Sequence, residues 1–156
     1  MHYNALMEKM HIESAEQMLE AVAAVLDRVG GSEFAGAVVV ALSGDLGAGK
    51  TTFTQALART LGVVEDVTSP TFVIMKGYEL PAGEKMARPF SHLIHIDAYR
   101  IEDIDEMRVL GFAELLKVKG TIICIEWAEN IAALIPEDAL RVMIEIVGEA
   151  REVTIE

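Results

Sequence analysis

Hydrophobic positions along the chain alternate between helical and strand spacing. Over residues 15–29, apolar side chains recur every three or four positions. Ser14 and Gln17 form a capping box at the start of this segment, and Gly30-Gly31 ends it. An uninterrupted apolar run that includes three consecutive valines follows at residues 38–42. This pattern predicts an amphipathic helix followed by a core strand.

The alternation continues to the end of the chain. Helical spacing returns at residues 52–61 and 129–134, and more weakly in the acidic stretch 102–116. Strand patterns occupy residues 72–78, 92–96, 121–125, 140–147 and 152–155. Residues 79–89 contain two prolines and a glycine, which predicts a hairpin loop. Alternating helices and strands are typical of α/β proteins, in which helices cover a mainly parallel sheet.

A phosphate-binding motif lies between the first core strand and the helix that follows it. Residues 44–51 read Gly-Asp-Leu-Gly-Ala-Gly-Lys-Thr, which fits the pattern G-x-x-x-x-G-K-[ST]. Gly44, Gly47 and Gly49 permit backbone angles that turn successive N–H groups inward around a phosphate. The helix that begins near Lys50 adds the positive end of its dipole. A glycine-rich turn that binds nothing is the alternative, and the strand before and helix after disfavour it.

The motif assigns roles to its residues. Lys50 is expected to bridge the β- and γ-phosphate oxygens, where it would also act in catalysis. The hydroxyl of Thr51 is expected to be a ligand of Mg²⁺. The nucleotide is expected to contact Leu46, Gly47, Ala48, Gly49, Lys50, Thr51 and Thr52.

Two acidic residues follow strands and compete for the second half of the site. Such a carboxylate can hold Mg²⁺ or orient the attacking water. The strand before Glu126 is purely apolar after Thr121, whereas His95 interrupts the strand before Asp97. We therefore expect Glu126 beside the loop and Asp97 at the γ-phosphate or the attacking water. The alternative for each is a surface acid at a strand end.

The identity of the nucleotide and the reaction are less sharply indicated. The Asn-Lys-x-Asp signature of GTPases is absent around Asn4 and Asn130, which favours ATP. Small-molecule kinases usually close an arginine-bearing lid, but the seven arginines of this chain form no cluster in the sequence. A small-molecule kinase and a nucleotide-sensing assembly factor with negligible turnover stay open as alternatives.

Composition limits the partners. The chain has 156 residues, which predicts one domain over residues 1–156, and its net charge of −12 opposes direct contact with nucleic acid. Its single cysteine, Cys124, lies in an apolar run, which suits a reducing compartment. We see no leader peptide and no membrane-spanning stretch in the sequence. A cytoplasmic location is the expectation.

Four sequence blocks together resemble one known family. They are the loop at 44–52, Ser-Pro-Thr-Phe at 69–72, His-Ile-Asp-Ala-Tyr-Arg at 95–100 and Ile-Glu-Trp at 125–127. In their order and approximate spacing they are similar to the bacterial TsaE (YjeE) family. That family consists of small P-loop ATPases required for threonylcarbamoyladenosine formation at position 37 of ANN-decoding tRNAs, acting with the TsaD and TsaB proteins. Ala98 and Ala128 depart from the residues usual in the family.

The resemblance implies roles for individual residues. It implies a switch-like segment at 69–72, a functional acid at Asp97, a Mg²⁺ ligand at Glu126 and a nucleotide contact at Arg151. From the residues alone, Trp127 is expected to be a packing aromatic. His95 is expected to be an ordinary strand residue.

These observations predict a three-layer P-loop NTPase-like α/β domain. Its central sheet is expected to be mainly parallel, with antiparallel edge strands supplied by the last two strands. The expected function is a Mg²⁺-dependent ATPase that serves tRNA modification, is weak alone and reaches tRNA only through its protein partners. Weak turnover is expected because no arginine is an obvious finger for the γ-phosphate.

Overall fold

The computed structural model of the protein describes residues 7–30, 34–70, 72–81 and 90–156. The strands are β1 (Glu8–Ile12), β2 (Val38–Ser43), β3 (Met75–Glu79), β4 (His92–Asp97), β5 (Thr121–Glu126), β6 (Leu140–Val147) and β7 (Ala150–Ile155). The helices are α1 (Met18–Gly30), α2 (Lys50–Thr60), α3 (Asp105–Val109) and α4 (Phe112–Leu115), with a 3₁₀ segment at Ala128–Leu134. No helix in the described ranges is long and apolar enough to cross a membrane.

The strands form one sheet in the order β1-β7-β6-β2-β5-β4-β3. The four central strands, β6, β2, β5 and β4, run parallel to one another. On one side β7 and β1 continue the sheet with antiparallel pairing, and on the other side β3 is antiparallel to β4. The predicted α/β fold with a mainly parallel centre is confirmed. The last two strands, β6 and β7, pair antiparallel with each other as predicted, but β6 is also parallel to β2, and the edge strands of the sheet are β1 and β3.

Two separate cores make the fold three-layered. Alternate residues of the buried strands point to opposite faces, so Val38 and Val40 of β2 pack with α1 and α2. Val39 and Ala41 of the same strand pack with α3, α4 and the 3₁₀ segment. Strand β5 is buried along its whole length, as its continuous apolar run predicts for a strand covered on both faces.

The boundaries of three predicted elements differ most from those in the structure. Helix α1 begins at Met18, after the N–H of Gln17 donates to Ser14 Oγ at 3.2 Å, so the capping box takes up the preceding turn. The predicted helix 102–116 is two short helices, because Gly111 adopts a positive φ of 77° between them. The strand predicted at 72–78 begins only at Met75, since Ile74 is in a turn with φ 67° and its N–H donates to Pro70 O.

Strand β1 was missed, and the predicted hairpin is described in part. The β1 sequence Glu-Lys-Met-His-Ile is short and mostly polar, and only its pairing with β7 makes it a strand. The predicted hairpin loop at 79–89 falls largely on residues 82–89, which lie outside the described residues. At its base the N–H of Leu80 donates to Ser91 O, which continues the antiparallel pairing of β3 and β4.

Candidate nucleotide site

The phosphate-loop motif forms the turn between β2 and α2, at the carboxyl edge of the parallel strands. Its three glycines all have positive φ, at 143° for Gly44, 78° for Gly47 and 117° for Gly49. A Cβ on Gly44 would lie 2.2 Å from the carbonyl oxygen of Ile144, so the loop passes β6 too closely for any side chain there. This backbone is the kind that directs successive N–H groups toward an anion.

Arg151 fastens this loop to the neighbouring strand β7. Its Nε donates to Ala48 O at 2.9 Å and its Nη2 to Gly47 O at 3.2 Å. Because Arg151 binds the carbonyl oxygens of Gly47 and Ala48, the peptide units that contain these carbonyls have a fixed orientation. The structure therefore places Arg151 beside the loop, in contact with the loop's own backbone, and the nucleotide contact that the resemblance implied stays a prediction.

Lys50 is held inside the loop by its own carbonyls. Its side chain is only 4% exposed, and its Nζ donates to Gly44 O and to Asp45 O, the latter at 3.0 Å. The same Nζ lies 3.9 Å from the centre of the Trp127 ring, which is a cation–π distance. Burial lowers the pKa of Lys50, and the carboxylate of Glu129 gives the largest opposing effect.

Thr51 and Glu126 meet at the start of α2. The order of the sheet puts β5 next to β2, so Glu126 at the end of β5 reaches the loop as expected from the sequence. Thr51 Oγ1 donates a hydrogen bond of 2.7 Å to Glu126 Oε1. The second carboxylate oxygen, Oε2, accepts a short hydrogen bond from His95 Nε2.

Asp97 ends the next strand, β4, and is paired in register with Glu126. Its side chain is nearly buried, and Ser69 Oγ donates to its Oδ2 at 2.7 Å. The backbone N–H of Tyr99 donates to its other oxygen, Oδ1, at 3.0 Å. Ser69 belongs to the predicted switch-like segment 69–72, of which Thr71 lies outside the described residues.

One cavity collects most of the predicted site residues. Its volume is about 400 Å³, and it is lined by Leu46, Gly47, Gly49, Lys50, Thr51, Thr52, Ser69, Asp97, Tyr99, Glu126 and Trp127. Ala48 of the loop is buried and lines a second cleft instead. The cavity therefore joins the phosphate loop to both acidic strand ends.

A second, smaller cleft of about 230 Å³ opens on the other side of the loop. Gly47, Gly49 and Thr52 line both spaces. The remaining walls are Ala48 of the loop, residues 12–15 with Met18, and Glu149 with Arg151 on the turn and strand of the β6–β7 hairpin. Of these walls only Ala48 and Arg151 were predicted site residues, because the others belong to no nucleotide-binding motif and meet the loop only through the β1–β7 pairing.

The donor set at Thr51 and Glu126 fits Mg²⁺. A hydroxyl and a carboxylate are hard oxygen ligands, and here their oxygens are 2.7 Å apart at the mouth of the phosphate loop. Mg²⁺ usually takes one or two protein ligands and completes its shell with water and phosphate oxygens. Within the described ranges, no group of three or more His, Cys, Asp or Glu side chains could hold a metal by itself.

Two residues contact the site more closely than the sequence predicted. Trp127 was expected only to pack, but it adopts a positive φ of 57°, lines the cavity over Lys50 and lies 5.0 Å from the Tyr99 ring. His95 was expected to be an ordinary strand residue, but it contacts Glu126. A signal existed for His95, because a polar ring in an apolar strand must find a buried partner.

Comparisons with known proteins agree on one family. The family model described as "Threonylcarbamoyl adenosine biosynthesis protein TsaE" matches residues 11–153. The tRNA threonylcarbamoyladenosine biosynthesis protein TsaE of Bacillus subtilis (strain 168) is 41% identical over 120 residues, covering 74% of this chain and 67% of that protein. The protein of the same name from Streptomyces coelicolor is 41% identical over 124 residues, covering 75% and 78%.

A solved structure matches along nearly the whole chain. The crystal structure of YdiB from Bacillus subtilis superposes with a TM-score of 0.65 at 28% identity. The match covers 99% of this chain and 87% of that one. Sequence and fold comparisons therefore point the same way.

Proposed function

The chain belongs to the threonylcarbamoyl adenosine biosynthesis protein TsaE family, and from this we propose that it is a Mg²⁺-dependent ATPase serving threonylcarbamoyladenosine formation at position 37 of ANN-decoding tRNAs. One observation carries the proposal. A single cavity brings together the phosphate loop with Lys50, the Thr51–Glu126 pair and Asp97. Phosphate binding, metal binding and water positioning are the three needs of phosphoryl transfer to water.

The shape of the site suggests how ATP is placed. The phosphates occupy the larger cavity, with the N–H groups of the loop around the β-phosphate. Base and ribose take the smaller cleft, because Gly47, Gly49 and Thr52 line both spaces and one ligand can extend from one into the other. Arg151 then keeps the loop in shape between the two parts of the nucleotide.

In the proposed reaction, different residues of the larger cavity bind the metal, bind the phosphates and orient the water. Mg²⁺, when bound by Thr51 and Glu126, neutralises charge on the phosphate oxygens. Lys50 exchanges its bonds with Gly44 O and Asp45 O for bonds with β- and γ-phosphate oxygens. Asp97, held by Ser69 and by the Tyr99 N–H, orients the attacking water.

Turnover by the chain alone is slow in this proposal. Among the described residues that line the larger cavity, Lys50 is the only cation. A further cation at the γ-phosphate, such as an arginine finger, is worth about 10³ to 10⁵ in rate. We propose that assembly with the TsaD and TsaB proteins completes or orders the site, and that the segment 69–72 beside Asp97 links the γ-phosphate to that contact.

The proposal also holds that the protein does not bind tRNA directly and that it is located in the cytoplasm. The net charge of −12 opposes contact with a phosphate backbone, so tRNA is reached through the protein partners. Burial raises the pKa of the single cysteine, Cys124, to about 12, so this thiol is unreactive. One cysteine allows no disulfide within the chain, which suits a reducing compartment.

Steady-state ATP hydrolysis by the purified chain, with and without TsaD and TsaB, tests the proposal. We expect low phosphate release by the chain alone and a large increase when both partners are present. Product analysis in the same assay distinguishes a kinase, which would transfer phosphate to an acceptor other than water. Full turnover by the chain alone, unchanged on adding partners, would contradict the proposal.

A further inference from the structure

His95 lies on β4, between β5 and the edge strand β3, and two residues before Asp97. It is 0% exposed and is paired in register with Cys124 on β5. A ring removed from water in this way needs protein partners for its nitrogens. Within the described part of the chain, Nδ1 has no hydrogen-bond partner, whereas Nε2 contacts Glu126 Oε2. Because a carboxylate accepts, Nε2 carries the hydrogen of this bond.

The two oxygens of Glu126 are therefore held from two directions. Oε1 accepts from Thr51, in the first turn of α2, and Oε2 accepts from His95, on β4. Both donors are anchored on regular secondary structure, which fixes the plane of the carboxylate. His95 is not among the residues that line the nucleotide cavity, so it acts on the site only through Glu126.

We propose that His95 is a positioning residue for Glu126, holding Oε2 so that Oε1 stays directed toward the Thr51 hydroxyl. The role rests on the proposed function, in which Thr51 and Glu126 bind Mg²⁺ together with the nucleotide phosphates. Ligating carboxylates are commonly oriented by such outer hydrogen bonds. Without the N–H of His95, the carboxylate can rotate, and the two ligand oxygens no longer converge on one point.

Three variants separate this role from simple packing. His95→Leu removes the N–H donor and keeps an apolar side chain in the buried position. His95→Gln returns an N–H donor near the place of Nε2. The control is His92→Leu, which makes the same change at an exposed position of the same strand.

Calorimetric titration with a non-hydrolysable ATP analogue, with and without Mg²⁺, provides the readout. For His95→Leu we expect the Mg²⁺-dependent gain in affinity to fall about tenfold to a hundredfold, as for other outer-shell partners. Affinity without Mg²⁺ should stay at the wild-type value, because the phosphate loop is untouched. His95→Gln should keep most of the gain, and His92→Leu all of it.

Two results would overturn the role of His95. One is a wild-type Mg²⁺-dependent gain in His95→Leu, and the other is an equal loss with and without Mg²⁺, which indicates packing alone. If His95→Leu does not fold in a thermal melt, His95→Asn replaces it, since its shorter amide cannot reach Oε2 and should lose the gain that Gln keeps. Absence of any Mg²⁺-dependent gain in the wild-type chain would instead reject the proposed metal site, and with it the role of His95.

Discussion

Glu126 and Asp97 end neighbouring strands at the same edge of the sheet, yet they are held in different ways. The carboxylate of Glu126 lies between two side chains on regular elements, Thr51 on α2 and His95 on β4. The carboxylate of Asp97 accepts from Ser69, in the connection that follows α2, and from a backbone N–H in the turn after its own strand. One acid is bound to the rigid part of the fold, and the other to connecting segments.

The surroundings of the two acids also differ, because those of Glu126 are buried and those of Asp97 are partly exposed. Glu126 faces the phosphate loop and the buried ring of His95. Near Asp97 the chain carries exposed apolar side chains, with Phe72 87% exposed and Tyr99 50% exposed. The guanidinium of Arg100 lies 5.0 Å above the Phe72 ring. In the proposed function, this difference corresponds to a fixed half that would hold Mg²⁺ and a half that would respond to a partner, as switch segments report the γ-phosphate in other P-loop proteins.

Asp97→Asn should have the largest effect and should be confined to turnover. The amide keeps the size of the side chain but cannot accept a proton or orient water as a carboxylate does. We expect partner-stimulated ATP hydrolysis to fall by about 10² to 10⁴, the usual contribution of such a group. Steady-state phosphate release measures it, with Asp103→Asn, an exposed acid that accepts from the Asp105 N–H, as the control. Unchanged turnover would remove Asp97 from the reaction.

Lys50→Ala should weaken ATP binding as a whole, because Lys50 belongs to the phosphate loop and to neither of the two acids. Loss of two charged hydrogen bonds to phosphates, at about 1.5–3 kcal/mol each, predicts a fall in ATP affinity of about 100-fold or more. The fold should survive, because among the described residues Lys50 bonds only to loop carbonyls and contacts the Trp127 ring. Calorimetry measures the ATP affinity and circular dichroism checks the fold, with Lys9→Ala at an exposed position as the control. Wild-type affinity would reject the phosphate-loop assignment.

Arg151→Ala should loosen the phosphate loop without changing the Mg²⁺ dependence of ATP binding. Two hydrogen bonds to loop carbonyls are lost, which predicts about 30-fold weaker ATP binding at roughly 1 kcal/mol per bond. The loss should be the same with and without Mg²⁺, as measured by calorimetry. Arg141→Ala, on the neighbouring strand β6, is the matched control. A loss seen only with Mg²⁺ would place Arg151 on the metal side of the site.

Ser69→Ala should give the smallest change, and we expect its effect on turnover to come through Asp97. One hydrogen bond of 2.7 Å to Oδ2 disappears, while the Tyr99 N–H still holds the other oxygen. We expect partner-stimulated turnover to fall by about fivefold, corresponding to roughly 1 kcal/mol, with ATP affinity unchanged. Ser91→Ala, at the opposite end of β4, controls for loss of a serine hydroxyl. Weaker ATP binding with normal turnover would reverse the assignment.

The site could be predicted from the sequence where chemistry and local pattern coincide. The glycines of the loop and the apolar run before Glu126 are local signals, and together they placed that acid beside the loop. The contacts of Arg151 with loop carbonyls and of His95 with Glu126 join residues far apart in the chain. Such contacts depend on strand order and register, which short-range spacing does not encode.

The fold shows the same division. Strongly apolar β2 and β5 were predicted nearly to their ends, whereas β1 was missed because its five residues are mostly polar and form a strand only against β7. Helix 102–116 was predicted as one piece, since spacing alone does not reveal that Gly111 adopts a left-handed conformation. Tertiary pairing and single backbone angles decided these elements, and neither is visible in hydrophobic periodicity.

The difference between the two acids is tested most directly by titrating an ATP analogue into Glu126→Gln and Asp97→Asn, each with and without Mg²⁺. For Glu126→Gln we predict that the Mg²⁺-dependent gain in affinity falls by about tenfold or more, because a charged metal ligand is lost. For Asp97→Asn we predict wild-type affinity in both conditions. The reverse result, with Mg²⁺ dependence lost in Asp97→Asn and kept in Glu126→Gln, would contradict the account.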